Sequence, residues 1–323
     1  MAEMRYRPLG GSGLIVSAVG LGCNNFGWRI DRDAAREVVE AALAAGVTLF
    51  DTADMYGGGG GSESILGELL QGRRDDVVLA TKFGLPVEAE PNGPDWDARG
   101  GRRYIRRAVE ASLRRLRTDW IDLYQYHRPD GVTPIDETLA ALGELVSEGK
   151  VRYIGSSNVF GWEIMDADHI ARAAGGARFV SVQNEYSLLE RSAETEVVPA
   201  CLRVGAGLLP YFPLASGKLA GKVRRGAPLQ PGTRLADRDA VVTDDELDRI
   251  EALERLAAER GLTLLDVAIG GLAAQPAVAS VIAGATSAGQ IRANAAAGAW
   301  LPTADDLAAI DAAAPPRRPL RRF

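Results

Sequence analysis

Long apolar runs, cysteine, histidine and lysine are what this sequence has least of. No stretch of about 18 uninterrupted apolar residues exists to span a bilayer, and no membrane association is expected. The N-terminus Met1-Ala2-Glu3-Met4-Arg5 has none of the apolar core of a secretory leader. The two cysteines, Cys23 and Cys201, make no metal or redox spacing. No metal site is expected, and a reduced, cytoplasmic setting is the simplest reading. A net charge of −6 gives no reason to expect a nucleic-acid partner. The basic residues Arg317, Arg318, Arg321 and Arg322 read as a solvated tail. Among 37 basic residues only Lys82, Lys150, Lys218 and Lys222 are lysines. Lysine in this chain is therefore a choice made against a strong arginine bias.

What is present is an alternation. A chain of 323 residues admits two domains on length alone, but (β/α)8 barrels of this size form one, and no composition shift marks a boundary. Residues 6–16 read as a hairpin around a glycine turn, and 16–22 as an apolar strand. Strands are expected at 48–53, 77–83, 121–127, 151–156, 179–184, 208–214 and 279–283. Helices are expected at 34–43, 62–70, 102–116, 135–148, 160–174 and near 194–204, then at 244–260, 263–275, 288–297 and 304–313. Asp31 reads as an N-cap, Ser62-Glu63-Ser64 as a second helix start, and Gly46, Gly72 and Gly149 as stops. Strands without polar alternation suit a parallel sheet buried on both faces. The pattern predicts a (β/α)8 TIM barrel with an N-terminal β-hairpin and extra helices late in the chain. The whole of 1–323 is expected to be one domain, with a long loop at 215–242 and a tail at 315–323. The competing doubly wound sheet needs G-x-G-x-x-G after its first strand, and Gly20-Leu21-Gly22-Cys23-Asn24-Asn25 fails at the third glycine.

Active sites of this fold lie where the strands end. Asp51 and Tyr56 stand at or past the end of one strand, Lys82 near the end of the next, and His127 at the end of a third. Each alone has a bland explanation: a loop cap, a surface aromatic, a satisfied core histidine. Lys82 is the hardest to dismiss, since lysine in an apolar strand carries a desolvation penalty unless paired.

These residues resemble the aldo-keto reductases. The matching pieces are Phe50-Asp51-Thr52-Ala53-x-x-Tyr56-Gly57, Ala80-Thr81-Lys82, Leu123-Tyr124-Gln125-Tyr126-His127-Arg128, Gly155-Ser156-Ser157-Asn158, Val182-Gln183-Asn184-Glu185-Tyr186-Ser187, Pro213-Leu214-Ala215-Ser216-Gly217, and Ile282-x-Gly284-Ala285-x-x-x-x-Gln290-x-x-x-Asn294. Seven pieces in the family's order make a specific match. The resemblance implies reduction of a small-molecule carbonyl to an alcohol by NAD(P)H. No obligate protein partner is evident, and the sequence is silent on oligomeric state, with a monomer as the default. Tyr56 would donate the proton, and Lys82 would lower its pKa from the usual value of about 10. Asp51 would hold Lys82 charged, and His127 would orient the carbonyl.

The resemblance also implies the cofactor contacts. Ser157, Asn158 and Gln183 would bond the nicotinamide carboxamide, and Tyr211 would stack on its face. Pro213, Leu214, Ser216 and Lys222 would lie over the pyrophosphate. Gly22, Gly284, Thr286, Gln290 and Asn294 would complete the cradle, with a helix N-terminus toward phosphate. The chain departs from the much-studied reductases, which carry Lys-Ser after Ile-Pro and arginine where Gln290 stands. It looks more like the branch of bacterial reductases and potassium-channel β-subunits, in which Arg234 matches an arginine for the 2′-phosphate. NADP(H) is the expected cofactor and NAD(H) use stays open. Ala293 replaces a common glutamate, which would speed cofactor exchange.

Two other functions share this site: a sugar or alcohol dehydrogenase working oxidatively, and a non-catalytic NADPH-binding regulatory protein. His127 argues against the second, because the channel subunits lack histidine there. Asn25, Trp28 and Trp96 are candidate walls of the substrate pocket. The run from Gly57 to Gly61 lacks the ending of a P-loop and reads as a mobile rim loop. His169 is expected to face solvent.

Overall fold

A computed structural model describes residues 3–87, 98–238 and 241–316. Two short strands, β1 (Tyr6–Pro8) and β2 (Ile15–Ser17), pair antiparallel. Parallel strands follow: β3 (Val19–Gly22), β4 (Leu49–Asp51), β5 (Val78–Phe83), β6 (Ile121–Tyr126), β7 (Val151–Ser157), β8 (Phe179–Gln183), β9 (Gly207–Leu208) and β10 (Val281–Gly284). They lie side by side in the order β10-β3-β4-β5-β6-β7-β8-β9. The ring closes where Ala279 N donates to Leu208 O at 2.9 Å and Ile282 N donates to Pro210 O at 3.0 Å. The fold is a (β/α)8 barrel with an N-terminal hairpin.

Helices alternate with these strands: α1 (Arg32–Ala44), α2 (Tyr56–Gly59), α3 (Gly61–Leu69), α4 (Arg102–Leu116), α5 (Ile135–Ser147), α6 (Gly161–Ala173), α7 (Val197–Val204), α8 (Asp244–Glu259), α9 (Leu264–Ala273), α10 (Ala288–Ala297) and α11 (Ala304–Ala313). Several start where the sequence places a cap. Asp31 accepts from Ala34 N at 3.0 Å, and Thr243, Thr263, Ser287 and Thr303 cap α8 to α11 in the same way. Each such cap stabilises its helix by about 1 kcal/mol. Among the described residues no helix is long and apolar enough to cross a membrane.

Inside the barrel Leu49, Ala80, Leu123, Leu209, Ala279 and Ile282 pack together with Leu9, Leu14 and Val16 of the hairpin segment. Gly11 N donates to Gly205 O at 2.8 Å, just before β9 begins. The hairpin thus sits where the strands start, and the rim where they end is left open.

Four expectations need correction. Residues 16–22 are not one strand: Ser17 pairs with Tyr6 in the hairpin, whereas Val19 pairs with Val281 in the barrel. The strand expected at 208–214 shrinks to Gly207–Leu208, because Pro210 and Pro213 have no N–H and Phe212 is left-handed (φ 50°). The glycine run is not an open loop but a helical turn that leads directly into α3. Ser62-Glu63 does not cap that helix, since both side chains are buried in other contacts.

Candidate active site

Asp51 ends β4, Lys82 lies one residue before the end of β5, and His127 follows β6, so adjacent strands deliver them to one rim. Lys82 has no solvent exposure, and its Nζ donates to Asp51 Oδ2 at 2.5 Å and to Thr52 O at 2.9 Å. Burial opposes the ammonium charge, but Asp51 and Tyr56 beside it outweigh that effect and hold its pKa above the ordinary lysine value. Gln125 Nε2 and Gln183 Nε2 donate to the other oxygen, Asp51 Oδ1, at 3.0 and 2.9 Å. A buried carboxylate needs this degree of satisfaction.

Tyr56 is delivered by the glycine turn. Gly57 (φ 70°) and Gly58 (φ 74°) are left-handed within α2. A Cβ on Gly57 would lie 2.7 Å from both Phe26 O and Ser62 N, so only glycine lets the chain turn so tightly there. The far side of the turn is anchored. Ser62 Oγ donates to Cys23 O at 2.8 Å, and buried Glu63 accepts from Thr81 Oγ1 and Arg115 Nε, both at 2.6 Å. Thr81 precedes Lys82 in β5, so one strand holds both the turn and the lysine.

Lys82 Nζ lies 5.2 Å from the centre of the Tyr56 ring. The Tyr56 and His127 rings meet edge to face, 5.9 Å apart and at 86°. Sequence reasoning expects Lys82 to lower the Tyr56 pKa, and the structure corrects this. Burial dominates and pushes the phenol above its ordinary value, while the Lys82 charge and hydrogen bond offset only part of the rise. Tyr56 is a neutral acid at neutral pH. Burial, then the charges of Lys82 and Arg128, holds His127 well below the usual histidine range, so its ring is neutral too. His127 Nδ1 is buried with no hydrogen-bond partner among the described residues, which leaves Nε2 open to the cavity.

That cavity measures about 1330 Å³ and runs across the rim. Asp51, Tyr56 and His127 line one end, with Lys82 behind them. Gly22, Ser157, Asn158, Gln183, Tyr211, Pro213, Leu214, Ser216, Lys222, Arg234, Gly284, Thr286, Gln290 and Asn294 all line it as well. Several are already engaged with one another. Tyr211 OH donates to Asn158 Oδ1 at 2.7 Å, and Asn158 Nδ2 donates to His127 O at 2.9 Å and Ser157 Oγ at 3.0 Å. Gln290 Oε1 accepts from Thr286 N at 2.8 Å, and Asn294 Nδ2 donates to Gly284 O at 3.4 Å. Asn158, Phe212, Ala215 and Ser216 are left-handed although none is glycine, a cluster of backbone strain of the kind that gathers at functional sites.

The segment after β9 is strapped across the mouth. Arg29 Nη2 donates to Asp237 Oδ2 at 2.6 Å and Gly232 O at 2.9 Å. Arg234 Nη2 donates to Asn25 Oδ1 at 2.8 Å and lies 5.8 Å over the Trp28 ring. Asn25 also donates to Ala285 O at 3.3 Å, which puts it at the β10 end of the cavity. Trp28 lines the cavity and is exposed, Trp96 lies outside the described residues, and His169 faces solvent. Burial pushes the Cys23 thiol well up, so this lining residue is no nucleophile.

Sequence reasoning missed Gln125, Arg29 and Glu63. Only Gln125 had a readable signal: a buried amide in an apolar strand, in register with Lys82 across β5 and β6.

Comparison with known proteins identifies the chain's relatives. The model of the Aldo/keto reductase family matches residues 18–315. An uncharacterized oxidoreductase, YrpG, of Bacillus subtilis (strain 168) is 42% identical over 296 residues, covering 90% of this chain and 89% of that protein. Versiconal hemiacetal acetate reductase of Aspergillus parasiticus is 36% identical over 84% of this chain and 86% of its own length. A probable voltage-gated potassium channel subunit beta of Arabidopsis thaliana is 36% identical over 90% of each chain.

Proposed function

The chain belongs to the aldo/keto reductase family, and from that premise we propose that it reduces an aldehyde or ketone to an alcohol, with NADPH in preference to NADH. The observation that carries this reading is the meeting of four groups. Lys82 lies 2.5 Å from Asp51 and 5.2 Å from the Tyr56 ring, and that ring stands 5.9 Å from His127.

A carbonyl oxygen gains negative charge as hydride reaches its carbon, so an acid must stand close. Tyr56 is that acid, protonated through the neutral range. Lys82, kept charged by Asp51, stabilises the phenolate left behind. His127, neutral, donates from Nε2 to the carbonyl oxygen and sets its angle toward Tyr56. The nicotinamide, when bound, supplies the hydride.

The donor set suits that cofactor. A cavity of about 1330 Å³ has room for a dinucleotide beside a small substrate. Ser157, Asn158 and Gln183 offer polar groups near Tyr56, and the Tyr211 ring offers a stacking face. Lys222 is exposed on the strap without a charged partner among the described residues, and suits the pyrophosphate. Arg234, bonded to Asn25, which in turn bonds Ala285 O, favours a 2′-phosphate and so NADPH. In this reading the chain is one barrel domain and residues 215–242 cover the cofactor.

A fluorescence titration with NADPH and NADH, followed by aldehyde addition, tests the proposal. Tighter binding of NADPH and its oxidation on aldehyde addition support it. Failure of both dinucleotides to bind overturns it.

A further inference from the structure

We propose that Arg128 forms an anion subsite, so that the preferred substrates are aldehydes or ketones bearing a carboxylate. The proposal rests on the carbonyl-reductase reading above. The protein as a whole is acidic, with net charge −6, yet among the described residues the cavity wall is not. Among the described residues its one carboxylate is Asp51, already bonded by Lys82, Gln125 and Gln183, whereas Arg29, Arg128, Lys222 and Arg234 all line it. Such a wall concentrates anions against the sign of the whole protein.

Two of these cations are engaged. Arg29 is paired with Asp237 and Arg234 is bonded to Asn25. With Lys222 they flank the strap, on the side of the cavity suited to dinucleotide phosphates. Arg128 is placed differently. It follows His127 directly at the end of β6, on the strap-free stretch of the rim, and its backbone adjoins β7 through Asn158, which bonds His127 O. It is exposed and has no ion pair or hydrogen bond from its side chain among the described residues. Most arginines of this protein do not stand so: Arg32 pairs with Glu68, Arg172 with Asp168, Arg225 with Glu251. Its charge also reaches the site: it adds to the burial and the Lys82 charge that lower the His127 pKa, and it offsets part of the burial-driven rise of Tyr211.

A guanidinium fork matches a carboxylate bidentately, which fixes orientation as well as position. Met55, Leu85 and Pro86 line the cavity on the same side, so the body between carbonyl and carboxylate is apolar. An aromatic ring or a short methylene chain meets that description. With the carboxylate on Arg128, the carbonyl would be turned toward Tyr56 and His127.

The test compares para-carboxybenzaldehyde with its methyl ester, which share ring and carbonyl and differ in charge. With NADPH, the wild-type protein is expected to prefer the acid in kcat/KM by about tenfold or more. Added salt is expected to erode the preference, because this contact is exposed. In Arg128→Met the acid-to-ester ratio should fall to near one, and Arg128→Lys should restore part of it. Equal wild-type rates for acid and ester, or an unchanged ratio in Arg128→Met, would overturn the subsite and leave the reductase reading standing. No oxidation of NADPH with either aldehyde or with simple aldehydes would overturn the reductase reading, and the subsite with it.

Discussion

Gln125 Nε2 donates to Asp51 Oδ1 across 3.0 Å, on the oxygen opposite the one that holds Lys82. The carboxylate is thereby gripped from both sides, and the angle at which it presents Lys82 to Tyr56 depends on the amide. Gln125→Leu keeps the volume and removes the donor. Loss of one hydrogen bond to a charged group should lower kcat by about tenfold while NADPH affinity stays near wild type. Steady-state kinetics beside a fluorescence titration would separate the two, and an unchanged kcat would contradict the positioning role.

The turn that carries Tyr56 yields a second expectation. In Gly57→Ala the new Cβ meets two backbone atoms at 2.7 Å, and neither can swing away. Tyr56 should be displaced, and a misplacement of about 1 Å can reduce turnover by about a hundredfold. Because the cofactor candidates lie beyond the turn, NADPH binding should survive. Full activity in this variant would mean that Tyr56 does not need the turn.

His127 makes stability depend on pH in a known direction. Its pKa is depressed in the folded protein from the ordinary histidine value of about 6.5, so the unfolded chain takes up the proton first. Stability is present above the unfolded value and is lost as pH falls from there toward the folded one, by at most about 1.4 kcal/mol per pH unit. Urea unfolding from about pH 8 down to about pH 5 should show a steeper loss in the wild type than in His127→Gln. Parallel curves would show that the imidazole is not buried neutral.

The strap offers a kinetic test. The Asp237 side chain is half exposed, so its pair with Arg29 is a modest one. An exposed pair is worth at most about 1 kcal/mol. Asp237→Asn should therefore speed NADPH release by about two- to fivefold, read by stopped-flow displacement. An unchanged release rate would remove this pair from the control of cofactor exchange.

These expectations also show which parts of the site could be read before the structure. Asp51, Lys82 and His127 stand out because a buried parallel strand is an unbroken apolar run, and a charged group at its end is conspicuous. Gln125 is less visible, since its meaning lies in its register against Lys82 on the next strand. Glu63 reads locally as part of a helix start, and only its partner Arg115, 52 residues later, makes it a buried ion pair. Arg29 and Asp237 are 208 residues apart and leave no local trace of their pairing. The barrel itself was legible from the alternation of elements, except at β9, where Pro210 and Pro213 shorten the strand. The direction of the Tyr56 shift required knowing how deeply the phenol is buried, which neighbouring charges alone do not reveal.

The most direct measurement is the rate of NADPH oxidation on aldehyde addition by the wild type and by Tyr56→Phe, at matched cofactor occupancy. Tyr56→Phe is expected to bind NADPH unchanged and to turn over at a rate lower by about a hundredfold or more, as loss of a general acid entails. A Tyr56→Phe protein that binds NADPH and reduces the aldehyde at the wild-type rate would contradict the account.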